Sequence, residues 1–134
     1  METATTRGVQ VSVESFYLAD QSDPGQEQFA FAYRVRLKNL GAERVQLLSR
    51  HWIITDSAGT VRHVKGPGVV GEQPVLEPGE EYEYMSGSRL ESPMGTMEGT
   101  YQMVSGAGEE FEIRIPVFTL AVPGGVTLLT LELI

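Results

Sequence analysis

Phe29-Ala30-Phe31-Ala32-Tyr33-Arg34-Val35-Arg36-Leu37-Lys38-Asn39 is the stretch on which the fold turns. Phe29, Phe31, Tyr33, Val35 and Leu37 fall at every second position, and Arg34, Arg36 and Lys38 fall between them. Side chains of a β-strand point alternately to its two faces, so this spacing describes a strand with one buried and one solvated face. Val9, Val11 and Val13 repeat the pattern against Gln10, Ser12 and Glu14.

Working outward, further strands are expected over Arg44 to Thr55, Thr60 to Val64, Glu81 to Leu90, Gly99 to Ser105 and Glu110 to Leu120, all rich in β-branched and aromatic residues. Turn residues separate them: Asn39-Leu40-Gly41, Asp56-Ser57-Ala58-Gly59, Pro78-Gly79 and Ser105-Gly106-Ala107-Gly108. Short strands at regular spacing without crossover helices predict an all-β, immunoglobulin- or fibronectin III-like antiparallel sandwich of about seven or eight strands in two sheets. Pro116 interrupts the last strand and places it at an edge or a bulge. Trp52 is the expected central core residue, Tyr82 is the candidate for a hydroxyl bonded back to nearby backbone at a strand corner, and Met94, Met97 and Met103 read as core filling, with an adaptable contact surface as the alternative.

The composition narrows the function classes. With 134 residues, 41% hydrophobic and 21% charged, the chain has material for one packed domain. It contains no cysteine, which removes disulfides, thiolate metal sites and a cysteine nucleophile. Its polar N-terminus is unlike a secretory signal and no apolar run is long enough to span a bilayer, so a cytoplasmic location is expected. The net charge of −8 argues against nucleic acid and anionic membranes as partners. That charge is uneven: residues 34–65 hold seven of the ten basic side chains and only Glu43 and Asp56 as acids, giving +5 against −13 for the remainder. One basic face on an acidic protein is the expected outcome. Residues 1–7 read as a flexible lead, and the apolar extension 123–134 as a possible extra strand and a route to dimerisation, leaving monomer and homodimer both open.

Three stretches together resemble the ApaG (CorD) family: Leu47-Leu48-Ser49-Arg50-His51-Trp52-Ile53-Ile54-Thr55-Asp56, Val64-Lys65-Gly66-Pro67-Gly68-Val69-Val70-Gly71-Glu72-Gln73-Pro74, and Met94-Gly95-Thr96-Met97-Glu98-Gly99-Thr100-Tyr101. With Ser22-Asp23-Pro24 and Ile115-Pro116-Val117-Phe118, the resemblance runs over about residues 8–122. It implies a fibronectin-like sandwich found as a small bacterial protein and as a module of some eukaryotic proteins, F-box proteins among them. It also implies an association with cobalt and magnesium resistance or efflux, without bringing a catalytic mechanism.

Gly66-Pro67-Gly68-Val69-Val70-Gly71 matches G-x-G-x-x-G, but Pro74 and Pro78 leave no room for the helix that completes a dinucleotide site, and Pro67 removes a backbone donor. A glycine-rich connection between sheets accounts for it without a ligand. An anion nest is the alternative, supported by Lys65 before the loop and by Arg50, His51, Arg62 and His63 in the strands leading to it. These eight residues (Arg50, His51, Arg62, His63, Lys65, Gly66, Gly68, Gly71) are the candidate ligand-binding set. Asp20, Asp23 and Glu27, or Glu77, Glu80, Glu81 and Glu83, offer oxygen ligands to a hard cation, although solvated turns and strand faces account for both groups, and no metal site or cofactor is assigned. With no G-x-S-x-G elbow and no spaced base for Ser86 or Ser88, the expectation is a non-catalytic binding module for a protein partner, the alternative being a direct binder of a phosphate-containing ligand or divalent cation.

Overall fold

The alternating stretch forms β3 (Phe29–Asn39) and lies inside a four-stranded sheet of order β1-β2-β3-β7, with β1 (Glu2–Thr6), β2 (Val9–Tyr17) and β7 (Glu81–Leu90). The computed structural model describes residues 1–123. The second sheet has the order β5-β4-β8-β9, built from β4 (Val45–Asp56), β5 (Val61–Pro67), β8 (Met94–Ser105) and β9 (Glu110–Ala121). A short β6 (Val75–Leu76) pairs with Val45 and Gln46 at the start of β4. Every pairing is antiparallel, as expected for strands joined by turns without helical crossovers.

The two sheets pack face to face around Val9, Val11, Val13, Phe31, Tyr33, Val35 and Leu37 from the first and Leu47, Trp52, Ile54, Met97, Tyr101, Met103, Ile113, Ile115 and Leu120 from the second. This is the expected all-β sandwich, with nine strands among the described residues. Trp52 is buried at its centre, edge-on to Tyr33 with ring centroids 5.2 Å apart. The outward face of the first sheet carries exposed ion pairs: Arg34 with Glu14, Arg36 with Glu83, and Lys38 with Glu81.

Two irregularities position everything that follows. In the β4–β8 ladder, Leu47 faces Met103 but Ser49 faces Gln102, so Leu48 is an extra residue that inverts the phase of β4. Val45 and Leu47 point inward before it; Trp52 and Ile54 point inward after it. In the β8–β9 ladder, Met97 faces Phe118 and Gly99 faces Ile115, which leaves Pro116 and Val117 opposite Glu98 alone. Pro116 therefore sits in a bulge on an outer strand, where its missing N–H breaks no regular ladder. Gly99, opposite Trp52, has no room for a side chain, since a Cβ there would lie 2.0 Å from the His51 carbonyl oxygen.

Several expectations change. Residues 1–7, read as a flexible lead, contain β1, which pairs with β2 from Glu2 opposite Val13 to Thr6 opposite Val9. Met97 and Met103 are core residues, but Met94 is exposed. Tyr82 makes no hydroxyl hydrogen bond among the described residues; instead Tyr84, one strand period on, is buried and pairs its hydroxyl with that of Tyr101 across the sheets. The possible extra strand over 123–134 lies outside the described residues from Gly124 onward.

Candidate functional site

The inverted phase of β4 sends Arg50 to the same face as Trp52 and Ile54, into the gap between the sheets. There β5 and β7 stand as outer strands on the same side of the sandwich, and a cleft of about 500 Å³ opens between them. Its floor is apolar, formed by Phe31, Trp52, Ile54, Val64 and Met97; its rim carries Arg50, Arg62, Arg89, Ser86 and Ser88. Arg62 reaches from β5 across the opening to the Arg89 carbonyl of β7 at 3.0 Å and to Ser88 Oγ at 3.3 Å. Arg89 donates to the Gln21 carbonyl at 3.1 Å. Tyr33 lies beneath them; burial raises its hydroxyl pKa above the ordinary value, opposed by a hydrogen bond with Ser86 and by the charge of Arg50.

Charge pairing distinguishes these arginines from the rest of the basic stretch. Among the described residues, Arg34, Arg36, Lys38 and Arg44 each meet a glutamate, Arg44 holding Glu77 through Nη2 at 2.9 Å. Arg50, Arg62 and Arg89 hydrogen-bond only to carbonyl and hydroxyl oxygens, and no acidic side chain lines the cleft. Asp56 and Glu91 line a neighbouring recess together with Arg62 and Arg89, without an ion pair between them among the described residues. The second acidic group is spent in the same way: Glu77, Glu81 and Glu83 hold the basic side chains of β3 and of Arg44, and Glu80 accepts from the Glu77 N–H.

The structure divides the eight candidate residues. Because consecutive strand residues face opposite ways, Arg50 and Arg62 enter the cleft while His51, His63 and Lys65 occupy the outer face of the same sheet. On that face His51 Nε2 and His63 Nδ1 are 2.9 Å apart. The glycine motif is only partly a loop. Gly66 lies within β5, where a Cβ would press on the Arg50 guanidinium at 3.0 Å, and Gly68 and Gly71 take φ of +60° and +81° in the hairpin that follows. The motif presents carbonyls to Arg50: Nη1 donates to Pro67 at 3.0 Å and to Gly68 at 2.9 Å. The N–H groups of Gly68, Val69 and Glu72 are engaged with Leu48, Glu72 and Val69 carbonyls, so the turn spends donors that an anion nest would need. Arg89, Ser86 and Ser88 were not among the sequence candidates; they lie far along the chain and reach the cleft only because β7 is the outer strand of the opposite sheet.

Among the described residues neither histidine bonds a hydroxyl or carboxylate, and Ser88 accepts from Arg62 rather than facing a base. No three histidine, aspartate or glutamate side chains gather as a metal cage among the described residues. The arrangement has the make-up of a recognition surface: an apolar floor with a few cations at its mouth that form no ion pair among the described residues.

Known proteins resemble the chain over most of its length. The family model described as the ApaG domain matches residues 19–105. The Protein ApaG of Paramagnetospirillum magneticum is 57% identical over 123 residues, covering 92% of this chain and 95% of its own length. That of Acidithiobacillus ferrooxidans is 55% identical, covering 90% and 95%. Among solved structures, the crystal structure of a Bordetella pertussis protein described as ApaA superposes with a TM-score of 0.84 at 52% identity, covering 86% of this chain and 94% of its own.

Proposed function

The chain belongs to the ApaG domain family, and from that premise we propose that it is a non-catalytic binding module whose recognition surface is the open cleft between β5 and β7. One observation carries this reading: in a protein of net charge −8, three arginines converge on a cleft that no carboxylate lines. Guanidinium groups whose present partners are neutral oxygens gain charge-assisted, bidentate hydrogen bonds when a carboxylate arrives. The partner is an acidic segment of another protein, its carboxylates on Arg50, Arg62 and Arg89 and an apolar side chain over the Trp52 floor. The setting we attach to it, from the family likeness, is cobalt and magnesium homeostasis in the bacterial cytoplasm, exercised through that partner and without turnover.

A second reading rests on the volume of about 500 Å³, which suits a small phosphate-bearing ligand on the same arginines. Trp52 is the only tryptophan and lies under the cleft, so its fluorescence reports occupancy. Titration with a glutamate-rich peptide should give a saturable change that Arg62→Ala abolishes. Saturation with pyrophosphate but not peptide favours the small ligand, and silence with both removes the cleft reading.

A further inference from the structure

We propose that His51 and His63 together bind a late first-row divalent ion, of the Cu2+, Ni2+ or Zn2+ class, on the outer face of the β5-β4-β8-β9 sheet. The site is independent of the cleft reading, because the two histidines stand on the opposite face of the sheet from Arg50 and Arg62.

The geometry comes from the register. His51 faces Lys65 and Ile53 faces His63, so the two imidazoles are diagonal neighbours on one face of adjacent strands, within reach of each other. The facing atoms are His51 Nε2 and His63 Nδ1 at 2.9 Å, with ring centroids 5.1 Å apart. Two imidazole nitrogens bound to one ion at about 2.05 Å stand roughly 2.9 Å apart at a right angle and roughly 3.4 Å apart at a tetrahedral one. The pair is therefore already spaced as two adjacent ligands, and each ring turns its lone pair from its neighbour toward the ion as the ion binds.

The facing nitrogens are at hydrogen-bond distance, 2.9 Å, which between two neutral rings takes the lone pair of one and the N–H of the other. When the ion binds, the donor ring moves its proton to the remote nitrogen by exchange with solvent, both facing lone pairs become ligands, and the net proton count is unchanged. His63 is exposed on an outer strand, which provides an entry path, and water fills the remaining positions. Around the pair, Lys65 of β5 and Arg114 of β9 oppose a cation, while Glu98 of β8 and Glu112 of β9, lining recesses shared with His51, offset them. Two nitrogen ligands select by ligand type: affinity should follow Cu2+ over Ni2+ and Zn2+, and Mg2+, which prefers oxygen and holds its waters, should not bind here.

The test is a Zn2+ titration of untagged, ¹⁵N-histidine-labelled chain, followed at the ring nitrogens. Both imidazoles should shift and saturate at about one ion per chain, with His51 engaged through Nε2 and His63 through Nδ1. His51→Ala and His63→Ala should each weaken binding by roughly tenfold or more, with amide spectra verifying the fold. Arg62→Ala should leave Zn2+ binding unchanged, and the histidine variants should leave peptide binding in the cleft unchanged, which separates failure here from failure of the cleft reading. Ring signals indifferent to Zn2+, binding that survives loss of either histidine, or displacement of Zn2+ by Mg2+ would each overturn the proposal.

Discussion

The two sides of the sandwich are finished in different ways. On one side β1 and β2 of the first sheet lie against β9 of the second, and the seam is stitched by Ser15 Oγ donating to the Thr119 carbonyl at 2.9 Å, by the Arg114 N–H on Thr6 Oγ1 at 3.2 Å, and by the Arg7–Glu109 ion pair. On the other side β5 and β7 stay apart, and Arg62 alone of the cleft arginines bonds across the gap above the aromatic floor, among the described residues. Short side-chain-to-backbone links close a seam; long cationic side chains resting on neutral oxygens offer their N–H donors to the acceptors of another molecule. The difference supports the proposal that recognition takes place on the open side.

The sharpest way to break this contrast is to remove the floor of the open side. Trp52→Ala should cost about 3–5 kcal/mol, because it deletes the central aromatic between Tyr33, Tyr101 and Phe118, and urea unfolding followed by circular dichroism measures it.

Next is the buried hydroxyl pair that links the two sheets between the sides. Burial, the main cause, pushes the Tyr84 and Tyr101 pKa values above 10.0, so the folded protein keeps both protons where the unfolded chain loses them. The unfolded state then binds fewer protons, and stability should be fully present below about pH 10 and fall above it, by up to about 1.4 kcal/mol per pH unit for each tyrosine. Urea midpoints taken between about pH 8 and pH 11 test this, with a flatter decline expected in Tyr84→Phe.

On the closed side, Ser15→Ala removes one seam hydrogen bond and should lower stability by about 1 kcal/mol. The smallest effect on stability belongs to the open side. Arg62→Ala should change the urea midpoint by no more than about 0.5 kcal/mol while removing peptide binding. A large loss of stability in Arg62→Ala would mean that the arginines are a structural seam like the other one, and the contrast would fail.

How far the chain could be read depends on what each feature rests upon. The strands were legible because the alternation of Phe29 to Asn39 and of Val9 to Val13 is local and uninterrupted. Pro116 was legible as an edge or bulge residue because a missing N–H has the same consequence in any sheet. The two-residue β6 carries too little pattern to stand out, and the polar β1 is held by its pairing with β2 and its seam with β9. The basic segment 34–65 was legible as composition, but four of its seven basic side chains pair with Glu14, Glu77, Glu81 and Glu83, whose positions opposite it follow from strand pairing.

By itself, then, the sequence determined the fold class, the central place of Trp52 and the presence of an uneven basic stretch, since each follows from local periodicity, residue size or counting. Only the tertiary structure decided which basic residues share a site. The extra residue at Leu48 sets which face of β4 meets the other sheet, so Arg50 enters the cleft and His51 leaves it. The order of strands then brings Arg89 to Arg62 on one face, and the antiparallel register brings His63 to His51 on the other. Such juxtapositions depend on phase and pairing between distant segments, and a strand carries no local mark of either.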